Sequence, residues 1–297
     1  MLMNRRSFLS YGVAGAAALL LRGTPLAAAD LPQATPRLRL SSWLKHVKGD
    51  LPEQLAWVEK MGFESIELRG QWETMAPVWK AALKNSKLVP SAMDWSSMGH
   101  IVAGSAADRE KSLDSLKRAI DVAGDLNTPN VIIVPPRLNK GLDLPSAEKS
   151  VAIMRDTFAS LAPRAAAAGT CLAIEPVNRV LVNCINTMGE AAALCREIGQ
   201  PGVGIVFDFQ QIMREEPDLD RAMQNGGAFV RQIHLSSRRG HLPGYAAEDR
   251  EKYLQGFRGL KRIGYGGICS FECGSPNSYM EKVGESMTFL RNIWGEV

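Results

Sequence analysis

Histidine and paired cysteine are what this sequence is short of. The chain has 4 histidines in 297 residues, and its 5 cysteines (Cys171, Cys184, Cys195, Cys269 and Cys273) contain no C-x-x-C spacing. That excludes the thiolate-rich zinc modules, whose ligands come in such pairs. An odd count also defines no disulfide framework. Cys171 and Cys269 sit in apolar, strand-like segments, where a free thiol acts as a small hydrophobe. Spanning-length apolar runs are missing too: the stretch at residues 11–21 is about half of the ~20 residues a membrane helix requires. Finally, Ser41-Ser42-Trp43-Leu44-Lys45 follows the first strand-like segment, and neither G-x-G-x-x-G nor a P-loop stands there. This argues against a dinucleotide or nucleoside-phosphate cradle.

The first thirty residues read as an address rather than as fold. Asn4-Arg5-Arg6-Ser7-Phe8-Leu9-Ser10 places paired arginines ahead of the apolar stretch, and Ala27-Ala28-Ala29 precedes Asp30. A positive segment, an apolar segment and small residues, in that order, make a cleavable signal peptide. The adjacent arginines with Phe-Leu resemble a twin-arginine export signal. The expectation is that residues 1–29 are removed near Ala29, without stable membrane insertion, and that residues 30–297 act in the periplasm. Of 35 Lys+Arg and 31 Asp+Glu, removal takes Arg5, Arg6 and Arg22, leaving 32 against 31, or +1. A near-neutral chain has no general attraction for nucleic acid or anionic lipid.

What the sequence does have is rhythm. Short apolar runs at 38–43, 65–68, 88–92, 131–134, 171–175, 203–207, 230–235 and 267–271 are separated by breaks and by segments of helical periodicity. Helices are expected at 51–60, 107–126, 146–168, 188–198 and 278–294. Ser146 is a cap with Lys149 where a capping box wants an acid, and Gly199 is a stop. Eight strand–helix units in about 260 residues match one α/β domain, a (β/α)8 TIM barrel.

Such barrels place their chemistry where strands end. Strand five runs into Glu175, strand six into Asp208, strand seven reaches His234 and strand eight runs into Glu272. A lone acid after a strand is ordinarily a helix cap; four such residues on consecutive strands are different. Three converging carboxylates repel one another and raise their own pKa values, and a divalent cation relieves that repulsion. Three carboxylates with one imidazole suit Mn2+ best, with Mg2+ or Co2+ next and Zn2+ as a further alternative.

The segments I-E-P-V-N-R, F-D-F-Q-Q, Q-I-H-L-S and S-F-E-C-G, in this order, resemble the xylose-isomerase-like barrels, nearest to the ketose 3-epimerase and hydroxypyruvate-isomerase branch. The resemblance implies that Glu175, Asp208, His234 and Glu272 bind the metal. It also implies that Glu175 and Glu272 are an acid/base pair on opposite faces of a sugar, moving a proton next to a carbonyl through an enediolate. Two departures stand out. Family members commonly carry D-x-x-H after strand six, where this chain has Gln211, which cannot shuttle a proton near neutral pH. After strand seven, Ser237 and Gly240 replace an acid and an arginine, with Arg238, Arg239 and His241 nearby as alternatives. Further candidates for substrate contact are Trp43, Trp95, Arg137 and Arg179, with Asn178 as support. His46 and His100 are loop residues without a promoting context.

The expected function is a sugar isomerase or epimerase acting on a sugar or keto-glycoside. A lyase that eliminates the aglycone of a 3-keto-glycoside on the same site is the alternative. An apurinic-site nuclease of the same superfamily, which leans on clustered zincs and many histidines, fits poorly with 4 histidines. A non-catalytic sugar binder and a homo-oligomeric assembly both stay open.

Overall fold

Eight parallel strands close on themselves in sequence order in the computed structural model, which describes residues 36–138, 140–274 and 278–297. The expected export signal lies outside the described residues. The strands are β1 Arg39–Trp43, β2 Ser65–Leu68, β3 Val89–Trp95, β4 Val131–Ile133, β5 Leu172–Ile174, β6 Val203–Asp208, β7 Val230–Leu235 and β8 Ile268–Phe271. Around them run α1 Leu51–Lys60, α2 Trp72–Leu83, α3 Met98–Ala103, α4 Ala106–Asp125, α5 Ala147–Ala167, α6 Met188–Ile198, α7 Phe209–Glu215, α8 Leu219–Gly226, α9 Asp249–Arg262 and α10 Tyr279–Glu296. Strand β8 pairs with β1, which leaves no sheet edge. Among the described residues no helix is long and apolar enough to cross a membrane.

The strand period of two sorts the side chains into two cores. Outward residues such as Ile66, Met93, Trp95, Ile133, Ile174 and Phe207 pack in the large cluster beneath the helices. Inward, Ala92, Ile132, Ala173 and Val206 form a small separate plug. Polar groups fill the rest of the interior: Ser41 Oγ and Ser91 Oγ are 3.0 Å apart, and Asn130 Nδ2 donates to the Ser91 and Arg231 carbonyls. Above the plug the next inward residues are charged, and these make the site.

Strands β2 and β7 and helices α1 and α6 have the expected bounds. Strand β3 does not end at residue 92; it continues to Trp95, pairing Asp94 with Ile132 and Trp95 with Ile133. A charged residue in the middle of the run hides this continuation from the apolar pattern. Helices α2, α3, α7, α8 and α9 were not singled out by sequence periodicity. In α9 two glycines lower helix propensity, yet they are required by close packing. A Cβ at Gly256 would lie 2.5 Å from Phe209 Cζ, and one at Gly259 would lie 2.5 Å from Met223 Cβ. The Ser146 hydroxyl accepts from Lys149 N at the start of α5, and Gly199 ends α6 at φ +62°, both as expected. All five cysteines are buried and form no disulfide.

Candidate metal centre

Register brings the four strand-end residues to one level. Asp208 on β6 pairs directly with His234 on β7, and His234 with Ser270 on β8. Glu175 and Glu272 follow the last residues of β5 and β8, and their backbone amides still donate to Ile133 O and Leu235 O at 3.0 and 3.1 Å. One ligand atom from each of Glu175, Asp208, His234 and Glu272 lies within 4.8 Å of all the others. Bonds of about 2.0–2.6 Å to a common divalent ion would span such a set. Three of the four are buried and Glu272 is partly open, as a centre that admits substrate from one side requires.

Two orphaned atoms test whether the residues fit a cation. His234 Nδ1 and Glu272 Oε2 are in direct contact, and neither makes a regular hydrogen bond. Glu175 Oε2 is 4.0 Å from the same nitrogen. A ring nitrogen and a carboxylate oxygen left without hydrogen bonds, with a second carboxylate close by, fit a metal ion. Asp208 has a double role: its Oδ1 caps α7 by accepting from Gln210 N (2.6 Å) and Gln211 N (3.2 Å). A helix cap and a ligand are therefore compatible readings of this one side chain.

Electrostatics agree. Burial, then the Glu272 charge, pushes Glu175 well above the usual carboxylate range. The same two causes push Asp208 up to about 7. In His234 burial opposes protonation, but the Glu272 and Glu67 carboxylates outweigh it and hold the ring well above its ordinary value. The metal-free site thus keeps protons that a cation must displace. For Asp208 and Glu175 the folded pKa is raised. Their stabilising effect is full below the unfolded value of about 4 and is lost as pH rises, for Asp208 through about 7. We therefore expect the rise in melting temperature on adding Mn2+ to grow from pH 5.5 to pH 8. Differential scanning fluorimetry with and without Mn2+ checks this, and a pH-independent shift would contradict it.

Sequence reasoning missed the other half of the site. Glu67, inside β2 and 2% exposed, accepts from Trp43 Nε1 at 3.0 Å and from Gln232 Nε2 at 3.3 Å. Its Oε2 is 3.0 Å from His234 Nε2. This bond fixes the imidazole so that Nδ1 faces the ligand cluster, as carboxylates behind metal-bound histidines do. Burial opposes ionisation of Glu67, but the His234 charge outweighs it and brings the carboxyl down to about 2. Arg69, just past β2, lies 3.2 Å from Glu272, 3.4 Å from Glu67 and 3.6 Å from Asp94. Its guanidinium stacks over Trp43 at 3.9 Å. The signal was present in Ser-Ile-Glu-Leu-Arg, an acid at an inward position of an apolar strand with a base two residues on.

The remaining candidates divide. Trp43 is at the site through Glu67 and Arg69. Gln211 stands beside it, its Oε1 accepting from Asn178 Nδ2 at 2.6 Å, so Asn178 supports the neighbourhood as expected. Trp95 does not contact the site: it has the outward phase of β3, packs under the helices and donates to Ser115 Oγ. Arg179 is also displaced, its side chain 70% exposed and paired with Glu215. Arg239 and His241 are exposed and line a separate cavity with Tyr245 and Glu248. Arg137 lines a cleft that also contains Arg69, Asp94 and His100. His46 is buried, its Nε2 2.8 Å from Cys273 O.

A closed (β/α)8 barrel with acids and a histidine converging at the carboxyl ends of β5 to β8 defines the class. The profile of the Xylose isomerase-like TIM barrel family matches residues 55–293, and the chain belongs to that family. Among curated relatives it is 29% identical over 182 residues to the ketose 3-epimerase of Arthrobacter globiformis, covering 61% of this chain and 62% of that protein. It is 23% identical over 225 residues to the 3-dehydro-D-guloside 4-epimerase of Escherichia coli, covering 72% and 84%. The chain thus spans about three-fifths of the ketose 3-epimerase it matches. Among solved structures, the 3-keto-D-glucoside 4-epimerase of Escherichia coli superposes with a TM-score of 0.75 at 20% identity, covering 86% of this chain and all of that one, a likeness of fold.

Proposed function

We propose that this protein is a divalent-metal-dependent sugar epimerase or isomerase that is exported by the twin-arginine route and works in the periplasm. The single observation that carries the reading is the placement of Glu175 and Glu272 around His234 Nδ1, with Asp208 completing a buried four-residue ligand set. The relatives named above, all sugar epimerases, support it. The leader Arg5-Arg6 through Ala29 is the basis for export, and the oxygen-rich donor set is the basis for Mn2+ over a softer-ligand metal.

A cation held by Glu175, Asp208, His234 and Glu272 would polarise the substrate carbonyl and the neighbouring hydroxyl, acidifying the hydrogen between them. Glu175 removes that proton as the general base. Glu272, open to the cleft, returns a proton to the opposite face or to the adjacent carbon. Arg69 holds Glu272 in place through its 3.2 Å contact. Gln211, bonded to Asn178, orients without carrying a proton.

Incubating the Mn2+-loaded protein with keto-sugars and 3-keto-glycosides in D2O tests this. The expected result is retained sugar carrying deuterium beside the carbonyl, followed by NMR. Released aglycone with an unsaturated product would assign the same site to a lyase instead. No exchange into any of them would sink the reading.

A further inference from the structure

The carboxyl-end rim of the barrel carries cations as well as acids. The β5–β8 half carries the acidic ligand set. On the β2–β4 half, a cavity of about 460 Å3 is lined by Arg69, Asp94, His100, Arg137, Lys140 and Leu142 among others. Ligand clefts run from about 300 Å3 upward, so this one is large enough for part of a sugar and its substituents. It adjoins the metal centre through Arg69, which contacts both Glu272 and Asp94.

The cations in this cleft are not equivalent. Arg69 is surrounded by the carboxylates of Glu67, Asp94 and Glu272, so its charge is already answered. Among the described residues Arg137 and Lys140 have no carboxylate partner, although both line the cavity. Arg137 is half-buried, and leaving a half-buried guanidinium without an anion wastes its strongest interaction. It is also not on a free loop. Its backbone bridges to Val182 and Leu138 N donates to Leu181 O at 2.9 Å, which ties the segment to the turn after β5. The opposite wall approaches closely as well, since a Cβ on Gly99 would sit 2.8 Å from Leu142 Cδ1. A cation whose backbone is already anchored loses less freedom when it binds a ligand.

We propose that this basin receives an anionic group of the substrate, a carboxylate or an ester phosphate, and that Arg137 reads it with Lys140 at the mouth. The preferred substrate is then an acidic keto-sugar rather than a neutral ketose. The inference rests on the sugar-epimerase reading and deepens it. Asp94 lines the same cavity and is paired with Arg69, which leaves Arg137 and Lys140 as the cations for the charged group. The carbonyl end is left facing Glu175 and Glu272. The planar guanidinium can offer a carboxylate two parallel N–H donors.

The test uses the Mn2+-loaded protein with D-glucuronate, D-glucose 6-phosphate and D-glucose as probes, measured by titration calorimetry. At least one anionic probe should bind about tenfold or more tightly than glucose, the amount a single charge-assisted contact supplies. Which one does so separates carboxylate from phosphate. Arg137→Gln should erase that advantage while leaving Mn2+ affinity and glucose binding as they were, and Arg137→Lys should retain part of it. Equal or undetectable affinity for all three probes, or equal weakening of glucose by Arg137→Gln, overturns the proposal. Deuterium exchange into neutral keto-sugars is read separately. If exchange fails but the charge preference stands, the epimerase reading falls and the anion basin survives. If exchange is intact without a charge preference, only the basin falls.

Discussion

Glu175→Gln is expected to lower turnover by about 10²–10⁴-fold, the range that a positioned general base contributes, while leaving the fold intact. Glutamine matches glutamate in shape but accepts no proton. The variant should therefore lose deuterium exchange even when Mn2+ is saturating. Its effect on stability has a different sign from its effect on rate. In the metal-free protein, burial and the Glu272 charge keep Glu175 protonated well above the usual range. A neutral glutamine resembles that protonated form. The cost of ionising Glu175, which grows as pH rises, is removed with the carboxyl. The melting temperature of the metal-free variant should then rise relative to the parent from pH 5.5 to pH 8. Steady-state kinetics, exchange by NMR and melting curves at the two pH values check this. Undiminished exchange in Glu175→Gln would move the base to another residue.

Changing Glu67 has the second largest expected effect, and it falls on metal affinity and stability together. Glu67 contacts the far nitrogen of His234 and, through Trp43 Nε1 and Gln232 Nε2, is held by groups from β1 and β7. Removing a carboxylate of this kind typically weakens metal binding by about 10–100-fold. Glu67→Ala also takes away the carboxylate at His234 Nε2 and one of the three around Arg69. Breaking a buried charge pair in this way costs about 3–5 kcal/mol. Glu67→Gln, which keeps an oxygen able to accept from His234, should cost less on both counts. Because Glu67 is held down to about 2, its stabilising effect is present above the unfolded value of about 4 and is lost only as pH falls through about 2. Glu67 also holds His234 above its ordinary value, and that stabilising effect is full below about 6.5 and fades as pH rises, so the destabilisation by Glu67→Ala should be larger at pH 5.5 than at pH 8. Calorimetric Mn2+ titration and denaturant unfolding at both pH values measure these quantities. Parent-like Mn2+ affinity in both Glu67 variants would mean that the Glu67 contact does not orient His234 for the metal.

The candidate ligand set was legible because each member ends, nearly ends or follows an apolar strand, and four such endings in a row are visible without knowing any distances. Glu67 and Asp94 were not legible in the same way. Both lie inside their strands, and an acid there reads as an interruption of the apolar run. Only the closed sheet shows that these positions point inward, at the level of His234. Trp95 failed for the same reason in reverse: one residue beyond Asp94, it takes the opposite phase and joins the helix-facing core. Arg179 follows Asn178 in sequence, but the turn directs its side chain outward to Glu215, and no local pattern encodes that direction.

By itself the sequence determined the number of strand–helix units, the barrel they form and the four residues of the candidate metal cluster, because period-two burial and strand-end charges are local properties of the chain. Tertiary structure decided the rest. Residues 167 positions apart, Glu67 and His234, meet only when β1 and β8 pair and the barrel closes. The placement of unpaired cations on the rim likewise exists only in three dimensions. It depends on which cations closure supplies with carboxylates, as for Arg69, and which it leaves facing the cavity, as for Arg137.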